Sequence, residues 1–516
     1  MIADPVAHIA QEGSLEAFLS KYPAGGFFVG GEIIKQAELS SGDVSEQVRQ
    51  YRSHSTIPPL FASDLENGSG SMIPGLTALP HLMAVGAADD DELAYEYGRA
   101  TAVEAKAIGI NWTFAPVADL NRNRFNPIVN ARSISDEPKQ ASRLLGRVVQ
   151  GMQAHGLAAT AKHFPGDGED YRNQHFVTSS NELPFEEWKQ LHGAVFQSLI
   201  DQGVAAIMTG HITLPAYQQS KQDGFLLPAT LSEELTTHLL KNEMRFEGVV
   251  VSDALIMGGF LGWYDRAQAE VECFRCGTDM LLFPTLGYID ALEQAIESGE
   301  VSMERLDDAV ERIWKMKERF GLFESPAPQL SQLTELQQPS NKPTEPNSIA
   351  ISAATRMAER SLTLLSNRAQ LLPLPQSNPS MLVVPIVTKP GATELFTPLM
   401  EELAQYGVNA IWKDKLWIDE LEDLAKIVDH VLFVIHNYIG HLDFATSGRG
   451  ALWSALCFDR AKTIGISFGS PYYYKDYFET AGAFVNAYSP VEASQRAAVR
   501  ALFGSVPFRG SSPVRL

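Results

Sequence analysis

Between residues 24 and 285 the chain alternates short, nearly continuous apolar runs with stretches whose apolar residues recur at helical spacing. The runs are AGGFFVG, PPLFASD, INWTFAPVADL, LAATAKHF, AAIMTGHI, GVVVSDAL and TDMLLFP. Consecutive apolar positions of this kind are what a strand buried on both faces requires. Between them, DELAYEYGRATAVEAKAIG and FEEWKQLHGAVFQSLIDQG carry the helical period. Strand, helix, strand repeated this often predicts a parallel sheet, and the length suggests a (β/α)8-type barrel. Seven strands are legible, and the first is expected to be missing or reduced to the residues around Pro5 to Ile9.

A long helical segment from Tyr288 to Phe323 closes this unit, which is expected to span residues 1–324. The Pro-, Ser- and Gln-rich stretch at 325–347 has no apolar period and reads as a linker. A second alternating unit, 348–516, carries the runs SMLVVPIV, VNAIW, HVLFVIHN, TIGISFG and AGAFVNAY and predicts a smaller open α/β domain. No G-x-G-x-x-G follows its first strand, so a dinucleotide site is unsupported there.

Composition narrows the function. Of 516 residues, 41 are Lys or Arg and 62 are Asp or Glu, for a net charge of −21. Nucleic acid and anionic membranes reward clustered basic residues, so neither is an expected partner. The N-terminus has no basic and apolar signal pattern and no run is long enough to span a membrane, which points to the cytoplasm. Cys273 and Cys276 have C-x-x-C spacing, but no second Cys or His pair completes a metal site, and Cys457 stands alone. Two reduced, packed thiols are the expected reading, in keeping with a reducing compartment.

In a barrel the chemistry collects where the strands end. Those ends carry Asp64, Asp119, Lys162 with His163, His211 and Asp253. A single polar strand end means little; five ionisable ones are harder to dismiss. Asp253, at the end of the apolar GVVVSDAL, is either a helix cap or a rigidly held nucleophile, and the residues alone leave both open. In KHFPGDGEDYRNQHFVTS, adjacent Lys162 and His163 should face opposite ways unless the strand bends. The Pro and Gly that follow permit such a bend. His175, in the same loop, is an ordinary loop histidine or a general acid/base. Arg132 forks hydrogen bonds to a ligand or pairs with Asp136 or Glu137 at the surface. Asp64 opens the Gly-rich loop ASDLENGSGSMIPG, which leaves room for a ligand.

Together KHFPGDG, NPIVNARS and the SDAL element, in this order, resemble glycoside hydrolase family 3 from about Gly25 to the C-terminus, and KHFPG-x-G followed by a loop His resembles its β-N-acetylhexosaminidases. The resemblance implies a two-domain form, with an α/β sandwich as the second domain. It implies a retaining exo-β-glycosidase that removes terminal β-linked N-acetylglucosamine, with Asp253 as nucleophile and His175 as acid/base. Asp64, Arg132, Lys162 and His163 match residues that hold sugar hydroxyls, with His211 assisting. No metal or cofactor is implied. Two positions depart from the pattern. Asn173 stands where an Asp would form a dyad with the loop His, with Asp170 or Glu169 as alternative sources of that charge, and Asp167 stands where His is common. Other readings are a β-glucosidase or other β-glycosidase, a glycoside phosphorylase, and a sugar-binding homologue with weakened catalysis. The oligomeric state is left open.

Overall fold

A computed structural model describes residues 2–3, 12–22, 24–30, 38–323, 345–387, 394–413, 418–437 and 459–516. The first unit is the expected barrel of alternating strands and helices. Its strands are β1 (Ile2–Ala3), β2 (Gly26–Phe28), β3 (Leu60–Ser63), β4 (Trp112–Thr113), β5 (Thr160–Phe164), β6 (Ala206–Thr209) and β7 (Val249–Ser252). All run parallel, in the order β1-β2-β3-β4 and β5-β6-β7. Bridges Trp112–Ala158 and Val117–Lys162 join the two runs, and Val251–Met280 adds the eighth position, where TDMLLFP was expected.

A two-residue strand, Ile2–Ala3, pairs with Gly26 and Phe27, and Pro5 to Ile9, where the reduced first strand was expected, lie outside the described residues. INWTFAPVADL forms only the two-residue β4, and beyond it the chain stays beside β5 through Ala115 O, Pro116 O and the Val117 bridge.

Residues alternate between two cores along the strands, as the pleat demands. Leu60, Ala62, Ala206, Met208, Val249 and Val251 face inward with Trp112 and Met280. Phe27, Phe61, Ile207 and Val250 face outward against the helices. Phe28 stacks on Phe114 and meets the edge of Phe283 at 5.2 Å, which joins the early and late strand ends.

Outside the strands lie α1 (Leu82–Ala88), α2 (Asp91–Ala107) and α3 (Pro138–Ala154), and α4 (Met303–Arg319) ends the unit. Asp90 caps α2 through the Glu92 and Leu93 amides, and Pro138 sits in the first turn of α3, where its missing N–H costs nothing. Residues 324–344, most of the expected linker, lie outside the described residues. Helix α5 (Glu345–Ser361) then packs on α1 and α2.

The second unit is a six-stranded sheet of β8 (Thr363–Ser366), β9 (Ser380–Val387), β10 (Asn409–Trp412), β11 (His430–His436), β12 (Thr463–Ser467) and β13 (Ala483–Asn486). The order is β8-β13-β12-β11-β9-β10, and only β8 is antiparallel to its neighbour. Separate apolar clusters cover its two faces, which makes it a sandwich. The expected apolar runs supply the five parallel strands; β8 was hidden at the end of a helical pattern. Cys457 lies outside the described residues. Cys273 and Cys276 are buried, and burial pushes the Cys273 thiol up to about 12, as packed thiols require. Among the described residues no helix is long and apolar enough to cross a membrane.

The chain's last stretch returns to the barrel. Ser511 N–H donates to Ala87 O at 3.0 Å. Pro513 O accepts from Ser135 Oγ at 2.9 Å and Asp136 N–H at 3.2 Å, and Arg515 N–H donates to Asp136 Oδ2 at 2.9 Å. Val514 is buried in the barrel-side core. Deleting residues 511–516 should lower the unfolding free energy by about 3 kcal/mol in urea titration, from one buried Val and several hydrogen bonds. An unchanged midpoint would show that this strap holds nothing.

Candidate active site

The centre of the site is an ion cluster built around the buried Lys162. β3 ends at Ser63, and the next three residues place Asp64 and Glu66 on one side of the chain. Lys162 Nζ lies 2.9 Å from Asp64 Oδ1 and 2.6 Å from Glu66 Oε1. Arg132 forks onto the same Glu66 through Nε at 2.8 Å and Nη2 at 2.7 Å. Burial alone would lift the Glu66 carboxyl, but Arg132 and Lys162 hold it well below the carboxylate range. Burial likewise opposes the charge on Lys162, and Asp64 and Glu66 outweigh it. The surface pairing of Arg132 with Asp136 or Glu137 is not formed; Asp136 instead accepts from Arg515.

β5 bulges between Lys162 and Phe164, so His163 is the extra residue opposite β6. The bulge lets Lys162 and His163 both turn into the pocket, as the Pro and Gly beyond them permit. His163 Nδ1 meets Asp119 Oδ2 at 2.7 Å, and its Nε2 lies 4.0 Å from Asp253 Oδ2. A carboxylate only accepts, so Nδ1 carries the proton. Gly168, with φ of +104° in the left-handed region, turns the following loop where a Cβ would strike the Leu120 carbonyl.

Asp253 follows β7 directly. Its N–H donates to Thr209 O at 2.9 Å, and its Oδ1 accepts only the Ala254 N–H, at 2.8 Å. The next helix starts at Gly258 with Met257 in the capping position, so Asp253 caps nothing. Burial would raise its pKa, but His163, His211, the Ala254 N–H and Lys162 together lower it, and the carboxylate stays ionised.

His211 is held by protein on both ring nitrogens: Nε2 donates to Ala254 O at 3.1 Å, and Nδ1 faces Thr230 Oγ1 at 3.0 Å. Burial, the leading cause, lowers its pKa, so the ring is neutral. In this arrangement His211 positions the segment after Asp253 and has no nitrogen left for a ligand.

His175 lies on the loop after β5. Asn173 Oδ1 accepts from its backbone N–H at 2.9 Å and faces its Nδ1 at 2.8 Å. The backbone can only donate, which fixes the amide oxygen there and puts the ring proton on Nδ1. Enough protein surrounds the ring that burial lowers its pKa; Asp253 opposes this, and Arg132, His163 and Lys162 reinforce it. Neither alternative carboxylate replaces the missing dyad charge. Asp170 pairs with Arg172 at 2.7 Å, and Glu169 with Arg122 at 2.8 Å and His192 at 3.1 Å. Asp167 is buried away from the pocket mouth. It accepts from Asn126 Nδ2 at 2.7 Å, the Gly168 N–H at 2.6 Å and Gln174 Nε2 at 3.3 Å. Burial and then Asp119 raise its pKa to about 6.

Three contributors escaped the sequence reading. Glu66 could have been found from its spacing, two residues past the strand-end Asp64. Asp119 was noted only as a strand end. The third comes from the second domain: His436, the last residue of β11, lies near enough to His81 that neither ring favours a charge on the other, and burial, the larger cause, lowers both to about 4. Nearby, Tyr472 donates to Asn121 O at 3.4 Å, and Arg124 pairs with Asp476. A recess of about 260 Å³ lined by Arg245, Phe246, Arg312 and Arg319 lies at the opposite, N-terminal ends of β6 and β7, away from all these groups.

Residues 5–316 match the glycosyl hydrolase family 3 N terminal domain. The chain is 30% identical over 522 aligned positions to a β-N-acetylglucosaminidase/β-glucosidase of Cellulomonas fimi, covering 96% of this chain and 89% of that one. Among solved structures it superposes on a family 3 β-N-acetylglucosaminidase from Paenibacillus sp. str. FPU-7 with a TM-score of 0.84 at 27% identity, covering 97% and 95% of the two chains. It also superposes on a β-glucoside phosphorylase with a TM-score of 0.83 at 27% identity, covering 97% and 90%. The chain belongs to glycoside hydrolase family 3.

The geometry makes Glu66 the common partner of two cations. Glu66→Gln should leave both under-compensated, lowering the unfolding free energy by about 3 kcal/mol. It should also weaken binding of a competing sugar measured calorimetrically. Unchanged stability and affinity would remove Glu66 from the centre of the site.

Proposed function

We propose that the chain is a retaining exo-β-glycosidase that removes terminal β-linked N-acetylglucosamine by double displacement. The observation that carries this reading is an ionised, buried Asp253 at the end of β7, with His163 Nε2 4.0 Å away and the His175 loop hydrogen-bonded to the segment that follows it. Asp253 attacks the anomeric carbon, and the glycosidic bond breaks as His175 Nε2 delivers a proton to the leaving oxygen. Water then attacks the glycosyl ester on the anomeric carbon and gives its proton to His175, which frees Asp253. Asp64, Arg132, Lys162 and His163 hold the sugar hydroxyls, and His211 positions the Asp253 segment. The names of the relatives support the acetamido sugar, and one of them carries β-glucosidase activity in its name as well.

The test compares aryl N-acetyl-β-glucosaminide with aryl β-glucoside. Asp253→Ala should lose about a thousandfold or more in kcat, and His175→Ala about 10²–10⁴-fold. A folded wild type that cleaves neither sugar would leave the sugar-binding reading instead.

One observation favours a second reading, phosphorolysis. Asn173 leaves no carboxylate beside His175, so an incoming phosphate meets less repulsion than in a dyad. The phosphorylase neighbour accords with it. Glycosyl phosphate formed in the presence of inorganic phosphate identifies this route; free sugar alone at every phosphate concentration rules it out.

The same residue sets the pH profile. For kcat/KM the acid must be protonated in the free enzyme, so the rate falls as pH rises through the His175 pKa. Burial has lowered that value from the ordinary 6.5, so the alkaline limb should lie below it. Asn173→Asp adds a negative charge at 2.8 Å and should move the limb upward by about one unit. An unmoved limb would show that Asn173 does not set it.

A further inference from the structure

We propose that Glu104, on α2, is a positioning residue for Asp64 and Glu66, and that it acts by clamping the returning arm of their Gly-rich loop through Thr77. The proposal rests on the glycosidase reading above, in which Asp64 and its cluster hold sugar hydroxyls, and adds the residue that sets their loop.

One face of α2 grips the loop at three places. Tyr97, Thr101 and Glu104 are spaced by four and three residues, which puts them on one side of the helix, and each is 1% exposed. The Tyr97 hydroxyl lies 3.0 Å from Glu66 O and 2.9 Å from Pro80 O, so it holds both ends of the loop. Ser69 Oγ donates to Thr101 O at 3.1 Å. Glu104 takes two bonds from a single residue: Thr77 N–H donates to Oε2 at 2.9 Å, and Thr77 Oγ1 donates to Oε1 at 2.8 Å.

Thr77 passes this hold toward the site. Its carbonyl accepts from Gly70 N–H at 2.9 Å, and two residues on, Leu79 N–H donates to Asn67 O at 2.9 Å. Asn67 follows Glu66, whose carboxylate meets Lys162 at 2.6 Å and Arg132 at 2.7 Å. The two arms of the loop touch backbone to backbone. Gly68 has a φ of +80°, and a Cβ there would lie 2.7 Å from Thr77 O. With no side chain between the arms, a shift at Thr77 reaches the arm that carries Asp64 and Glu66.

The chemistry of Glu104 fits a clamp better than a filler. A carboxyl taken out of water without a cation is expensive unless it is hydrogen-bonded, and Thr77 is its partner among the described residues. Burial raises it to about 7 and outweighs the two Thr77 bonds, which lower it. No charged group is among the causes, whether on the loop, on α2 itself or on α1, α3 and α5 packed against α2. An apolar side chain of this size would fill the same space, yet it would leave the buried Thr77 N–H without an acceptor.

The test compares the wild type with Glu104→Ala and Glu104→Gln. Gln keeps both bonds, since its amide oxygen can accept the Thr77 N–H and its NH2 can donate to Thr77 Oγ1; Ala keeps neither. Hydrogen–deuterium exchange reads the loop directly. Amides of residues 66–79 should exchange about tenfold faster or more in Glu104→Ala and at wild-type rates in Glu104→Gln. Well below its melting temperature, Glu104→Ala should raise KM and the Kd of a competing sugar by about tenfold, with kcat changed less, because hydroxyl contacts act on bound substrate and transition state alike. Glu104→Gln should restore both. If Glu104→Ala does not fold, Glu104→Met, which fills the space without accepting, takes its place. A folded variant of either kind with wild-type KM and Kd overturns the proposal, whether or not its loop exchanges faster.

Melting curves against pH give a second readout. Folding raises this carboxyl from 4.5 to about 7, so the stability it contributes is full below the lower value and is lost as pH rises through the upper one. Gln has no proton to lose, so the melting temperature of Glu104→Gln should gain on that of the wild type between about pH 5 and pH 8. A constant gap overturns the uncompensated burial on which the clamp depends. A wild type that binds no sugar and cleaves no glycoside sinks the glycosidase reading instead, while the exchange rates of the loop still decide the clamp.

Discussion

A buried Lys162 charge and the three partly buried charges around it set the terms for the site. Asp64 and Glu66 follow β3, Lys162 lies on β5 and Arg132 comes from a loop, so no two adjacent elements supply them all. Each is expensive to bury alone and tolerable in this grouping, because two carboxylates meet two cations at hydrogen-bond distance. Glu66 is the member that both cations share. The cluster therefore fixes where β3, β5 and the Arg132 loop end relative to one another, and a pocket with fixed polar walls follows from it. With these four charges cancelling, the Asp253 carboxylate stands beside the cluster without a Lys or Arg at hydrogen-bond distance among the described residues.

The second domain supports this arrangement from outside. It presents His436 toward His81, ties Asn121 through Tyr472 and pairs Asp476 with Arg124. The 121–126 loop so held in turn holds Asp167 through Asn126, and Asp167 reaches Gln174, next to His175. A chain of short contacts thus runs from the sandwich to the His175 loop.

The sequence revealed what repeats and what is long. The strands of the barrel and the five parallel strands of the sheet were legible because continuous apolar runs have few alternatives. The strand at Ile2–Ala3 was not legible because two residues cannot show a period, and β8 was missed because it follows a helix without a break in apolar pattern. Asp253, Lys162, His163 and Arg132 converge as their motifs suggested. Glu66 was passed over because its Gly-rich surroundings read as empty space. The confinement of His211 could not be seen, since its partners Thr230 and Ala254 are 19 and 43 residues away. For the same reason the engagements of Asp170 and Glu169, which leave Asn173 alone with His175, belong to tertiary structure and not to spacing.

Replacing the dyad carboxylate has a consequence for timing. Asp253 is the leading group that favours a proton on His175, against burial and three neighbouring cationic or basic side chains. Under double displacement, Asp253 loses its charge once it is esterified by the sugar. At that moment His175 loses its main countercharge and its hold on a proton drops. A fixed carboxylate at 173 would blunt this change by remaining charged throughout. In that mechanism, with Asn173 at this position, Asp253 would itself set the timing: free, it would keep His175 protonated, and esterified, it would leave His175 a base.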